Sequence, residues 1–112
     1  MAKGGFGGFG GGANMQQLVR QAQKMQQDME NAQKELAETE LQASAGGGMV
    51  VCTVTGTKEI VSLKIDPAIV DPEDTEMLED TVLAAVKEAL AKAEEAYNAK
   101  MGSITGGLGG RF

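Results

Sequence analysis

The chain has no histidine and no tryptophan, a single cysteine at Cys52, and two prolines, Pro67 and Pro72. Each scarcity excludes something. Lacking histidine and holding one thiol, it cannot build most zinc sites or a Cys/His nucleophile, and a disulfide within the chain is impossible. A lone thiol suits a reducing cytoplasm. The aromatics stop at Phe6, Phe9, Tyr97 and Phe112, so any core must be assembled from Val, Ile, Leu, Met and Ala. No apolar run approaches the ~18 residues of a membrane span, and the glycine-rich start is unlike a secretory signal. These absences predict a soluble, cytoplasmic chain with no cofactor, no metal and no small-molecule substrate. They also argue against an enzyme, since no nucleophile, base pair or metal set is left.

What is present fills 112 residues, room for one domain. A chain of that size buries only about 60 to 65% of its unfolded surface. So thin a core favours oligomerisation. The net charge of −6 opposes casual contact with nucleic acid, because phosphate neutralisation supplies most of that affinity. The acidity is concentrated, however. Asp66, Asp71, Glu73, Asp74, Glu76, Glu79 and Asp80 form a block without Lys or Arg, and the remainder is nearly balanced.

Glycine sets the expected boundaries. Residues 1–13 and 102–112 are too glycine-rich to offset their ordering entropy and are expected to be flexible tails around one folded domain, 14–101. Gly5 to Gly10 spell GxGxxG, but the dinucleotide fingerprint needs a preceding strand, and only Met1 to Gly4 precede it.

Asn14 can cap a helix. Met15, Leu18, Ala22, Met25, Met29, Ala32 and Leu36 then recur in steps of three and four. Two readings stay open: a coiled-coil seam, or an amphipathic helix packed on its own sheet. Leu41 to Ser44 alternate weakly, predicting a short edge strand before the Gly46-Gly47-Gly48 break. Val50, Cys52 and Val54 share one face of a strand over 49–55. After a turn at Gly56, Val61, Leu63 and Ile65 alternate with Ile60, Ser62 and Lys64. Together they predict a β-hairpin with one buried face, Cys52 inward.

Asp71-Pro72-Glu73-Asp74 predicts another helix start, with a capping residue, proline in the first turn and acids over the positive end of the dipole. From there Leu78, Val82, Ala85, Ala89, Ala93 and Ala96 form one apolar stripe, and Leu83, Val86, Leu90, Tyr97 and Met101 form a second. Together they exceed the ~100° needed to cover one sheet face. The surplus predicts a partner subunit, with Leu78, Val82, Leu83, Ala85, Val86, Ala89 and Leu90 as the dimer-interface candidates.

Arg20, Lys24 and Lys34 fall within about 80° of one another on the first helix, opposite the seam, among Gln16, Gln23, Gln27 and Asn31. Long cations among amides contact phosphate oxygens without reading bases. The same face would serve equally as ordinary solvated surface. Lys92 and Lys100 flank an otherwise acidic helix face and would join only if the dimer turns that edge towards the first helix.

Three segments, NMQQLVRQAQKMQQDM, GGGMVVCTVTGTKEIVSLKIDPAIVDPEDTEMLED and KMGSITGGLGG, closely resemble the YbaB/EbfC family of bacterial nucleoid-associated proteins. The resemblance covers roughly Met15 to Gly109. It implies an α+β homodimer whose sheet is shared between chains and carries protruding helices, and a protein that binds double-stranded DNA with little sequence preference, alters its conformation and contributes to nucleoid organisation and gene regulation. In that pattern Val51 is commonly a lysine, which implies weak, cooperative or salt-sensitive binding here. The alternative is an acidic adaptor that docks on a basic protein partner such as a replication or recombination factor.

Overall fold

The computed structural model describes the backbone of residues 5–105 and the side chains of residues 14–105. It is an α+β chain in the order α1 (Gly5–Glu38), β1 (Glu40–Ala45), β2 (Val50–Thr55), β3 (Ile60–Ile65), a 3₁₀ turn (Pro67–Ile69) and α2 (Thr75–Thr105). The strands form one antiparallel sheet in the order β1-β2-β3.

Both helices outrun the expected bounds. Helix α1 begins at Gly5 rather than being capped by Asn14. Once a turn exists, each added residue contributes a hydrogen bond without a new nucleation cost, and a glycine weakens that extension without blocking it. Helix α2 starts at Thr75, later than Pro72, because the Asp74 carboxylate accepts from the Met77 amide at 3.2 Å and so caps the helix. Asp71 instead closes the preceding turn, accepting from the Glu73 amide at 3.0 Å, and Asp66 accepts from Ala68 at 2.9 Å. Three of the seven acids in the block are thereby matched to local backbone donors. At its far end α2 passes Met101, its last turns supported by Ser103 and Thr105 hydroxyls donating to the carbonyls of Lys100 and Met101. Residues 5–13 and 102–105, expected as parts of flexible tails, are helical, and the remainder of the expected tails, 1–4 and 106–112, lies outside the described residues.

Tight turns join the strands. Gly46, Gly47 and Gly48 all have positive φ, 66°, 69° and 90°, a run that side chains with a Cβ resist. Gly56 is needed for another reason: its amide donates to Leu36 O at 2.8 Å and Thr39 O at 3.0 Å. The hairpin thus satisfies carbonyls at the end of α1 that have no partner within the helix.

The core lies between α2 and the sheet. Val50, Cys52 and Val54 of β2, Ala43 of β1 and Ala85, Ala89 and Ala93 of α2 form one buried cluster, edged by Leu41, Ala45, Ile69, Val82, Val86 and Leu90. Alanines let the helix backbone approach the strands. Cys52 is inward as expected, and burial pushes its thiol pKa up.

The third strand departs from expectation. Thr53 pairs with Ser62 but Val54 pairs with Ile60, so a bulge leaves Val61 as the extra residue. Ile60, rather than Val61, shares the inward register with Leu63 and Ile65. None of these is buried: Ile60 is 54% exposed, Val61 50%, Leu63 41% and Ile65 38%. Helix α2 lies over β1 and β2 and leaves β3 bare. The expected one-sided burial therefore holds for β2 alone, and even there Thr53 and Thr55 of the opposite face are enclosed.

Candidate nucleic-acid interface

Helix α1 leaves the body as an arm. Only Ala32 and Leu36 are buried, Met25 and Asp28 are half-buried, and every other side chain from Asn14 to Glu38 is exposed. Neither expectation for its apolar stripe holds in full, because the C-terminal part packs chiefly along α2 rather than on the sheet, and the rest has no cover among the described residues. The two helices run antiparallel: Gln33 shares a cleft with Tyr97, and Met25 with Ile104.

Arg20, Lys24 and Lys34 all stand on the exposed side of this arm. Arg20 and Lys34 make no ion pair among the described residues. Lys24 lies 3.4 Å from Asp28, one turn on, with the side chains 77% and 42% exposed. Such a pair is worth about 0.3 to 0.5 kcal/mol and leaves the ammonium open to a phosphate. From Arg20 to Lys34 the helix rises about 21 Å, the length of roughly six base pairs of duplex.

The two lysines expected at the flank are engaged elsewhere. Lys100 does reach the first helix, where it pairs with Glu35 in a partly exposed contact. Lys92 donates to the backbone carbonyl of Gln42 at 2.8 Å, on the free edge of the sheet. A third cross-element pair joins Lys58 in the hairpin turn to Glu94 of α2. The hydrogen bond and charge of Lys58 hold the Glu94 carboxyl below its ordinary range.

Two exposed cations were not singled out from the sequence. Lys64 stands cross-strand from Val51 on the outer sheet face, and Lys87 faces outward from α2; neither is ion-paired among the described residues. Lys64 was visible as the polar member of the β3 alternation. Lys87 is bordered by Glu88 and gave no such signal.

The expected dimer-interface residues divide. Ala85 and Ala89 are fully enclosed against the chain's own sheet. Leu83, by contrast, is 52% exposed, and Leu78, Val82, Val86 and Leu90 are half-buried. Leu78, Val82, Leu83 and Val86, with Glu79 and Ile65, line one open apolar groove between α2 and β3. Val70 and Met77, absent from the expected set, are also exposed, at 51% and 41%. Among the described residues no group of three or more Cys, Asp or Glu could hold a metal ion, and no helix is long and apolar enough to cross a membrane.

The model of the YbaB/EbfC DNA-binding family matches residues 11–108. A nucleoid-associated protein of Acetivibrio thermocellus is 59% identical over 98% of this chain and 96% of its own length. One from Clostridium botulinum (strain Eklund 17B / Type B) is 60% identical over the whole of both chains. Among solved structures, an uncharacterized protein from Helicobacter pylori superposes with a TM-score of 0.64 at 26% identity, covering 71% of this chain and 84% of that one.

Proposed function

The chain belongs to the YbaB/EbfC DNA-binding family, and from that premise we propose that it is a nucleoid-associated homodimer that holds duplex DNA through the cations of its α1 arms. The observation that carries this reading is the Arg20, Lys24 and Lys34 ridge, exposed on a helix that projects from the body. A ridge of point charges and amides grips phosphates, which positions a protein without specifying sequence. Binding with little sequence preference follows, and two arms gripping one duplex would alter its path. Lys92 and Lys100 play a structural part in this reading, since their ammonium groups already serve Gln42 and Glu35.

The second half of the reading is the dimer. The open groove between α2 and β3, continued by exposed Leu63 and Ile65, is the surface whose burial in a second copy would extend the sheet and complete the core. Duplex binding should weaken with salt, log K falling against log salt with a slope of about −4 to −5 if four to six phosphates are met. Reversing Arg20 and Lys34 to Glu should abolish the shift while light scattering still reports the parent's mass. A double variant that binds as tightly as the parent would sink the arm mechanism.

A further inference from the structure

Three acids border the cationic ridge, Asp28, Glu30 and Glu35, and Glu38 follows its end. They are not equivalent. Glu35 comes eleven residues after Lys24, about three turns with a remainder of about 20°, so it stands nearly in line with Lys24 and next to Lys34. Asp28, one turn past Lys24, lies on the same margin. That margin faces α2, where Asp28, Asn31 and Glu35 line a cleft with Lys100 and Ser103. Lys24 pairs with Asp28 and Lys100 with Glu35, so two carboxylates meet two ammonium groups and the margin carries no net charge. Glu30 and Glu38 have no ion-pair partner among the described residues.

The Lys100 and Glu35 pair does little to hold the helices together. Its side chains are 40% and 61% exposed, a setting in which ion pairs add little stability, while buried Ala32 and Leu36 already seat α1 on the body. Its effect is on the field over the ridge. With Lys100 in place, a phosphate that approaches Lys24 and Lys34 meets a compensated carboxylate; without it, Asp28 and Glu35 outnumber Lys24 along the margin and repel the phosphate. We infer that Lys100 is a positioning residue for duplex binding that acts through Glu35, masking a carboxylate at the edge of the ridge without itself touching a phosphate; the inference rests on the DNA-binding reading above. A unit charge about 7 Å from a phosphate in water changes affinity about threefold, and two chains compound this to nearly tenfold. A residue of α2 thereby sets how strongly α1 holds DNA.

Anisotropy titrations of a mixed-sequence duplex at low salt test this, comparing the full chain with Lys100→Met, Glu35→Gln and the two combined. Lys100→Met should weaken binding about three- to tenfold, and Glu35→Gln should tighten it by a similar factor. The double variant should return to within about twofold of the parent, with the slope of log K against log salt unchanged, because no phosphate contact is lost. Lys92→Met, which removes the same charge from the sheet edge, should also stay within about twofold. A double variant as weak as Lys100→Met, with a slope shallower by about 0.9 per chain, would put Lys100 itself on a phosphate and overturn the masking. Lys100→Met binding as tightly as the parent overturns it too, as does Glu35→Gln binding more weakly. If Lys100→Met lowers the melting temperature, Glu35→Gln decides the matter alone, since it keeps Lys100 and the packing of its stem. A parent that binds no duplex even at low salt overturns the DNA-binding reading, and this inference with it.

Discussion

Gly56 carries more of the architecture than its size suggests. A Cβ built there would come within 2.8 Å of both the Leu36 carbonyl oxygen and Leu36 Cδ2, and the carbonyl is fixed by the hydrogen bond that joins hairpin to helix. Gly56→Ala should cost about 1 to 3 kcal/mol and lower the melting temperature. Gly102→Ala, in open helix with nothing within 4 Å, should leave stability unchanged or raise it by up to ~1 kcal/mol. The Lys58 and Glu94 pair makes a separate prediction in pH. Because Lys58 lowers the folded-state pKa of Glu94 below its ordinary 4.5, the stabilisation is complete above that value and is lost as pH falls through the lowered one. Both side chains are about half exposed, so the effect is small. An NMR titration should show the Glu94 carboxyl returning towards its ordinary value in Lys58→Met.

At the scale of elements, α2 has two jobs on two sides. Its alanine line, Ala85, Ala89 and Ala93, seats the sheet, while Leu78, Val82, Leu83 and Val86 border an open groove. Substitutions on the two sides should therefore fail differently. Ala89→Glu buries an unpaired carboxylate at a cost of several kcal/mol, and circular dichroism should report loss of the fold. Leu83→Glu changes a half-exposed side chain, so the helical signal should persist at concentrations where association is weakened at least tenfold, about 1.4 kcal/mol. Persistent full-strength association in Leu83→Glu would move the interface elsewhere. The sheet edges contrast in the same way. Lys92 occupies a carbonyl of β1, whereas β3 combines a bulge with exposed apolar side chains, and an uncovered apolar edge strand is a pairing site.

The whole molecule is extended and exposes much surface. Its radius of gyration is 23.3 Å and its extents are 85 × 25 × 16 Å, where a compact chain of this length would have a radius near 13 Å. Its accessible surface is 7698 Å², against roughly 5,800 Å² for a compact monomer of the same mass. Light scattering at micromolar concentration should return about twice the chain mass of 11.6 kDa; a stable folded species at the single-chain mass would remove the shared-sheet proposal.

The residue pattern by itself determined the α+β order, the inward face of β2 and the cation ridge, because these depend on period and on local chemistry. Val50, Cys52 and Val54 alternate, and Arg20, Lys24 and Lys34 share a helix face. Tertiary structure decided what no period encodes. The bulge at Val61 shifted the phase of β3. The placement of α2 over β1 and β2 enclosed Ala85 and Ala89 while leaving Leu83 and Ile65 bare. Long-range contacts drew Lys100 to Glu35, Lys58 to Glu94 and Lys92 to Gln42. An apolar stripe states only that a face must be covered. Which stripe the chain covers itself, and which it leaves exposed, depends on where the helices run out of sheet.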